Sequence, residues 1–235
     1  MIIGLDPEGL VPRAIKGLTG AALLLLAAGC SSGSSGNTNY SQFYQILRQS
    51  MSASFGKVRV TRDQAAAIPY ATMGYSLDGG NQAVLILATD SGGELLWTSG
   101  AHVVIVTRDG RIIRTLGLDH DLSGMTGRDK AAPFAPAAAI RGPFTSLRLE
   151  DFPELGLYGV LVSCRAQMVG RQTIKVLGQA IAAIRVDEAC QSRKPDWSFV
   201  DTYWVDGDNG LVWRSRQHVH PNGGVIETEI FRPPG

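Results

Sequence analysis

Residues 102–116, HVVIVTRDGRIIRTL, decide the fold. Two short runs rich in Val, Ile and Thr flank Asp109-Gly110. That dipeptide between β-branched runs is a strong signal of a two-residue hairpin turn, whose central residues take positive φ, which Gly tolerates without a steric cost. A two-residue loop pairs Arg108 with Arg111 and Val106 with Ile113, and sets Ile105 against Arg114. Apolar residues then occupy both faces away from the turn, so these strands are expected between two layers.

The same pattern extends in both directions. Strand-length runs rich in Val, Ile, Tyr and Trp lie at 58–60, 70–75, 83–88 and 95–97 on one side. On the other side they lie at 144–149, 157–169, 172–177, 180–186, 202–205, 212–219 and 225–231. Asp78-Gly79-Gly80-Asn81 and Ser91-Gly92-Gly93 are further turn signals. No long run after residue 50 has helical periodicity, whereas Tyr40, Phe43, Tyr44 and Leu47 recur at helical spacing and predict one short amphipathic helix. The expected fold is all-β: antiparallel meander sheets of about a dozen strands forming a sandwich or half-barrels, with one short N-terminal helix after a flexible tether. An open sheet of this kind exposes edges to which a partner strand could add. Residues 130–143, KAAPFAPAAAIRGP, break the pattern and read as a long crossing loop, or as a division of the 40–235 domain into two halves.

Ahead of this domain stands LLLLAAGCSSGSSG, residues 23–36. The apolar run from Leu18 to Gly29 is far short of the roughly 20 residues that a spanning helix needs. Arg13 and Lys16 precede it and small polar residues follow, which is the order of a secretory signal, although Asp6 and Glu8 are atypical of its charged region. Leu26-Ala27-Ala28-Gly29-Cys30 resembles the lipobox of bacterial lipoproteins, with Ala27 where leucine is usual. The expectation is that residues 1–29 are a cleaved signal and that Cys30 carries a diacylglyceryl thioether and an acylated amine. A plain cleaved signal or a buried helix is the alternative. Each buried methylene contributes about 0.8 kcal/mol, so two or three chains hold a protein on a bilayer where one binds only marginally. Residues 30–39 then form a Ser/Gly-rich tether. Ser31, where enterobacterial sorting places Asp for inner-membrane retention, resembles an outer-membrane address facing the periplasm.

The formal net charge is +1, and losing residues 1–29 removes two basic and two acidic residues, leaving it unchanged. With 22 Lys and Arg scattered along the chain, nothing suggests nucleic acid as a partner. Beyond Cys30, Cys164 and Cys190 remain in what is expected to be an oxidising compartment. They are either a disulfide, the expected state, or two buried thiols, since spacing alone does not bring their Cα atoms within about 7 Å.

The most conspicuous polar stretch is WRSRQHVH, Trp213 to His220. At a two-residue period Arg214, Arg216, His218 and His220 share one face, a cationic stripe suited to an acidic sugar polymer or a partner protein. If Asn222-Gly223 closes the next hairpin, His218 falls opposite Glu227 and Arg216 opposite Glu229, and ordinary cross-strand pairing neutralises the stripe. Structural pairing is the preferred reading and polymer or partner contact the functional one. His218-x-His220 could ligate a metal, but no Cys or Asp cluster completes that site, so neither a metal nor another cofactor is expected. Asp119-His120-Asp121 resembles a carboxylate-held base, yet loop acids beside a histidine more often form turns, and the chain has no H-E-x-x-H helix and no P-loop. Trp97, Trp204 and Trp213 lie on strands as core or as a sugar-stacking platform.

Ile68-Pro69-Tyr70-Ala71, QAVLILA from Gln82, GRIIRTLGLDHDL from Gly110 and YWVDGDNGLVWRSRQHVHP from Tyr203, behind a lipobox, together resemble the YjbF/GfcB family of lipoproteins of exopolysaccharide and group 4 capsule operons. The resemblance implies a β-rich, periplasm-facing outer-membrane lipoprotein, not an enzyme, that works with polysaccharide-export or capsule-assembly proteins and contacts the polymer itself or only those proteins. It implies no catalytic residue. Two other classes stand beside it: an enzyme on envelope glycan or lipid using Asp119, His120 or Asp121, and a lipid carrier with an apolar lumen lined by residues such as 83–88.

Overall fold

The computed structural model describes residues 58–128 and 135–235. The signal, Cys30, the tether, the helix expected at Tyr40 to Leu47 and the first part of the 130–143 loop lie outside the described residues. The described chain is all-β and antiparallel, with twelve strands. These are β1 (Thr72–Leu77), β2 (Ala83–Ser91), β3 (Glu94–Thr98), β4 (Val104–Arg108), β5 (Arg111–Leu116), β6 (Gly124–Gly127), β7 (Phe144–Phe152), β8 (Leu157–Val176), β9 (Gln179–Arg193), β10 (Asp196–Val205), β11 (Val212–His218) and β12 (Val225–Arg232).

All twelve belong to one sheet, ordered β5-β4-β3-β2-β1-β12-β11-β10-β9-β8-β7-β6. Apart from β5 and β6, each strand pairs with its sequence neighbour, and β1 pairs with β12, as in an up-and-down barrel. The seam falls between β5 and β6. There the Thr115 N–H donates to the Leu122 carbonyl at 2.8 Å and the Leu122 N–H to Thr115 Oγ1 at 2.9 Å, so the barrel is nearly closed. Closure leaves little of the open edge expected for strand addition. The 130–143 stretch joins β6 to β7, neighbours in the same sheet, and its Pro136–Ile140 forms a 3-10 turn with Ala139 packed among Ala166, Val186, Tyr203 and Val205.

The Asp109-Gly110 turn forms as expected, with φ of 53° and 79°. Register departs from the expectation after one step. A bulge shifts the ladder so that Thr107 faces Ile112 and Val106 faces Arg114, and Ile113 has no partner. The physical reason is burial: the bulge lets the consecutive Ile112 and Ile113 both bury their side chains, which strict alternation forbids. Residues 58–60 are not a strand. Their N–H groups go to loop side chains, Val58 to Asn81 Oδ1 and Val60 to Gln82 Oε1, each at 3.1 Å. The two runs expected at 157–169 and 172–177 are one strand, β8, with a bulge between Met168 and Gly170. β6 and most of the C-terminal half of β9 carried no strand signal, because β6 is short and glycine-rich and β9 turns Glu188 and Ser192 inward.

That inward polarity defines the lumen. One part is apolar, filled by Trp97, Leu85, Ile105, Ile112, Phe152, Val162 and Ile226, and the Trp97 indole donates to Thr107 Oγ1 at 2.9 Å. The rest is a charged belt. Arg111, fully buried, makes a two-pronged contact with Glu188 at 2.6 and 3.0 Å and donates to the Tyr203 hydroxyl at 3.0 Å. Arg148 lies 3.6 Å from Glu150, 3.8 Å from Glu188 and 3.9 Å from Asp201. Cys164 and Cys190 face each other across β8 and β9, joined as a disulfide with Cα atoms 4.1 Å apart.

Two guanidiniums thus meet three carboxylates in a water-poor space. Burial alone would raise the Glu188 pKa, but Arg111 and Arg148 outweigh it and hold the group below its ordinary value. Glu150 is pushed up to about 7 by burial, which Arg148 only partly opposes, and neither of its carboxylate oxygens has a hydrogen-bond partner. A carboxyl with a raised folded pKa contributes stability that is fully present below its unfolded pKa and is lost as pH rises through the folded one. Stability is therefore expected to fall between about pH 4.5 and 7, on the order of 3 kcal/mol from this group. Urea denaturation at pH 5 and pH 8 checks it: Glu150→Gln should narrow the difference between the two and be more stable than wild type at pH 8. Arg111→Ala, which strands Glu188 without its main partner, should lower unfolding free energy by about 3–5 kcal/mol in the same assay.

Candidate functional site

The outer wall carries a cleft of about 430 Å³. Its floor is the outer face of β11 and β12, where Arg214 lies opposite Glu229 and Arg216 opposite Glu227. One wall is the β8–β9 hairpin tip, with Lys175, Leu177 and Gly178, beside Trp204 of β10. The hairpin bends over the outside of the sheet because Ile174, Val176 and Ala183 bury themselves against Trp204, Trp213 and Phe231. A turn with φ of 48° at Leu177 and 77° at Gly178 reverses the chain there.

The opposite wall is 59–62. Thr61 caps α1 (Arg62–Ala66) in a capping box with Gln64, and Arg62 reaches across to the Leu177 carbonyl at 3.3 Å. Five basic side chains, Arg59, Arg62, Lys175, Arg214 and Arg216, surround two carboxylates, Glu227 and Glu229. Arg214 contacts Glu229 at 2.5 Å and Arg216 contacts Glu227 at 3.0 Å, while Arg59 stands 3.7 Å from Glu227. The Arg214 guanidinium lies 5.7 Å from the Trp204 ring centre, and the indole donates to Gln172 Oε1 at 2.8 Å. Lys175 has no ion-pair partner among the described residues. The cleft holds both the cross-strand pairing expected of the stripe and a surplus of positive charge.

Of the stripe read from the sequence, Arg214 and Arg216 line the cleft and the other members leave it. The hairpin register is shifted by two: Arg216 faces Glu227 rather than Glu229, and His218 faces Val225 rather than Glu227. A 219–224 connection replaces the two-residue turn expected at Asn222-Gly223, because β11 ends at His218. His218 contacts Asp201, its N–H donating at 2.8 Å with Nδ1 at 3.2 Å, and its ring packs near Phe199. His220 is buried beyond the strand end. Trp213 donates to Asp206 at 3.1 Å and packs outside the cleft, Trp97 is core, and Trp204 is the indole that lines the cleft. Arg59, Arg62 and Lys175 carried no signal in the sequence, since only the fold brings the 59–62 segment and the β8–β9 tip to β11.

Asp119-His120-Asp121 dissolves into separate roles. Asp121 organises the β5–β6 connection, accepting from Thr115 Oγ1 at 2.8 Å, the Gly117 N–H at 2.9 Å and the Leu118 N–H at 3.3 Å. Asp119 is exposed, and His120 turns to Glu154, with Nδ1 at 2.7 Å from Oε1. The lumen is occupied by large apolar side chains and the charged belt, a poor home for an acyl chain.

A family profile described as "Group 4 capsule polysaccharide lipoprotein gfcB, YjbF" matches residues 47–231. Two relatives from Escherichia coli (strain K12) are each 27% identical: the lipoprotein GfcB over 74% of this chain and 80% of its own, and the lipoprotein YjbF over 74% and 81%. The crystal structure of the hypothetical lipoprotein YmcC from Escherichia coli (K12) superposes with a TM-score of 0.64 at 20% identity, covering 86% of this chain and all of that one, which shows a shared fold.

Asp121→Ala removes three hydrogen bonds of one connection and should lower stability by about 1–3 kcal/mol, read as a fall in the thermal midpoint.

Proposed function

Because this chain belongs to the YjbF family of group 4 capsule polysaccharide lipoproteins, we propose that it is a non-enzymatic component of capsule or exopolysaccharide production, anchored through lipid on Cys30 to the outer membrane and facing the periplasm. The observation that carries this reading is the outer cleft, with five basic groups around two carboxylates and an indole in its wall. An anionic glycan presents carboxylates to guanidiniums, which bind them as paired acceptors, and presents pyranose faces to an aromatic ring. The polymer, or an acidic surface of an assembly partner, occupies the cleft. The lipid holds the barrel at the membrane surface, and the Ser/Gly tether at 30–39 lets it reach its partners. The Asp121–His120 pairing that the enzymatic reading invoked is not formed, because the Asp121 oxygens are engaged in a turn and His120 turns to Glu154.

Two measurements test it. Sugar analysis of surface and secreted polymer in a deletion strain should show a loss that wild type and Asp119→Ala restore and that Cys30→Ser and the double variant Lys175→Glu/Arg216→Glu do not. Unchanged polymer on deletion would overturn the reading. In solution, an acidic polysaccharide should bind more weakly as salt rises from 50 to 500 mM. Glu227→Gln, which frees Arg59 and Arg216, should strengthen binding about two- to five-fold.

A further inference from the structure

Away from the cleft, at one end of the barrel, three connections converge: β5–β6 with His120, β7–β8 with Glu154, and β11–β12 with His220. Their ligand-capable atoms lie within 4.8 Å of one another. His120 Nδ1 is 2.7 Å and His220 Nε2 2.9 Å from the same oxygen, Glu154 Oε1, and the two rings stack at 4.9 Å with planes 8° apart. His220 Nε2 is buried and, despite that short approach, makes no aligned hydrogen bond. A nitrogen and an oxygen this close without a shared hydrogen bond are arranged as ligands of one small cation are. We propose that His120, Glu154 and His220 form a zinc site.

Two imidazoles and one carboxylate are a borderline donor set that suits Zn²⁺ rather than Mg²⁺ or Ca²⁺. Ligand atoms 2.0–2.1 Å from a tetrahedral zinc lie roughly 3.3 Å apart, so the two nitrogen-to-oxygen contacts, at 2.7 and 2.9 Å, need to lengthen by roughly half an ångström. Its surroundings hold the ligands in place. Phe152 packs edge-on to the His220 ring at 5.0 Å, and Asp121 anchors the connection bearing His120. Residue 223 is glycine where a Cβ would come within 3.1 Å of His220 Cβ and 3.6 Å of His120 Cβ. His120 and Glu154 are more than a third exposed, which leaves the fourth position open to water or a ligand oxygen.

One local change accompanies loading. The Asn222 N–H donates to His220 Nδ1 at 3.0 Å, which puts the proton of the neutral ring on Nε2. With Nε2 on zinc the proton moves to Nδ1, and the Asn222 N–H turns away from it.

The test uses the full lipidated chain in detergent, without a histidine tag, stripped with chelator and titrated with Zn²⁺ at pH 7.5. One equivalent should bind, insensitive to millimolar Mg²⁺, and His120→Ala and Glu154→Gln should each weaken it at least ten-fold while leaving the far-UV circular dichroism unchanged. Both residues are half-exposed, so the variants should fold where truncation of buried His220 could fail. Imidazole ¹⁵N spectra should show the His220 proton passing from Nε2 to Nδ1 on loading. Binding of less than one equivalent, or one equivalent that survives both substitutions, overturns the proposal.

Discussion

The contact between Arg111 and Glu188 is the constraint on which the barrel depends. β5 stands at one end of the strand order and β9 is eight places along it, so the pair crosses the lumen rather than running along the sheet. Removing two charges from water costs several kcal/mol each, and the desolvation is offset only by good geometry and further hydrogen bonds. Here the guanidinium grips both carboxylate oxygens and also donates to Tyr203, while Arg148 adds a second positive charge near Glu188 and Asp201. Gln217 continues the network, accepting from the Ile112 N–H at 2.9 Å and donating to the Gly110 carbonyl at 3.0 Å, which ties the β4–β5 turn to β11. These contacts fix one arrangement of the seam half of the sheet against the opposite wall, something apolar packing alone specifies less tightly.

A lumen committed to packing and charge pairing puts recognition on the outside. β8 and β9 are longer than the barrel needs, and the bulge at Met168 and Gly170 lets their shared tip fold back. Apolar residues on that outer surface, Ile174, Val176 and Ala183, hold the tip against Trp204, Trp213 and Phe231. The cleft is the space left between this tip and the segment leading into α1. The three histidine- and glutamate-bearing connections are separate from it, since every odd-to-even connection of an up-and-down barrel emerges at one end while the cleft lies on the side wall.

Strand existence was legible where a strand's inner face is apolar. The runs that became β1 to β5 alternate Val, Ile, Leu and Trp with turn signals between them, and the Asp109-Gly110 turn could be placed to the residue. Legibility failed where the inner face is polar. The second half of β9, from Asp187 to Arg193, reads as surface because Glu188 and Ser192 point into a charged lumen, and nothing local announces that Arg111 waits opposite. Register failed twice for one reason: a bulge at Ile113 and a six-residue connection after His218 are settled by what each side chain can bury, not by turn chemistry.

The sequence by itself determined the class of fold, the family, and that the Arg residues of β11 meet Glu residues of β12 on one face, because periodicity and charge patterning are local properties, whereas the register that pairs Arg214 with Glu229 and Arg216 with Glu227 was decided by the fold. Tertiary structure alone decided which cations share the cleft, since Arg59, Arg62 and Lys175 reach Arg214 and Arg216 only through closure of the sheet and the fold-back of the β8–β9 tip. It likewise decided that His120 meets Glu154 and His220 rather than the aspartates beside it, because a contact between connections depends on where twelve strands place their ends.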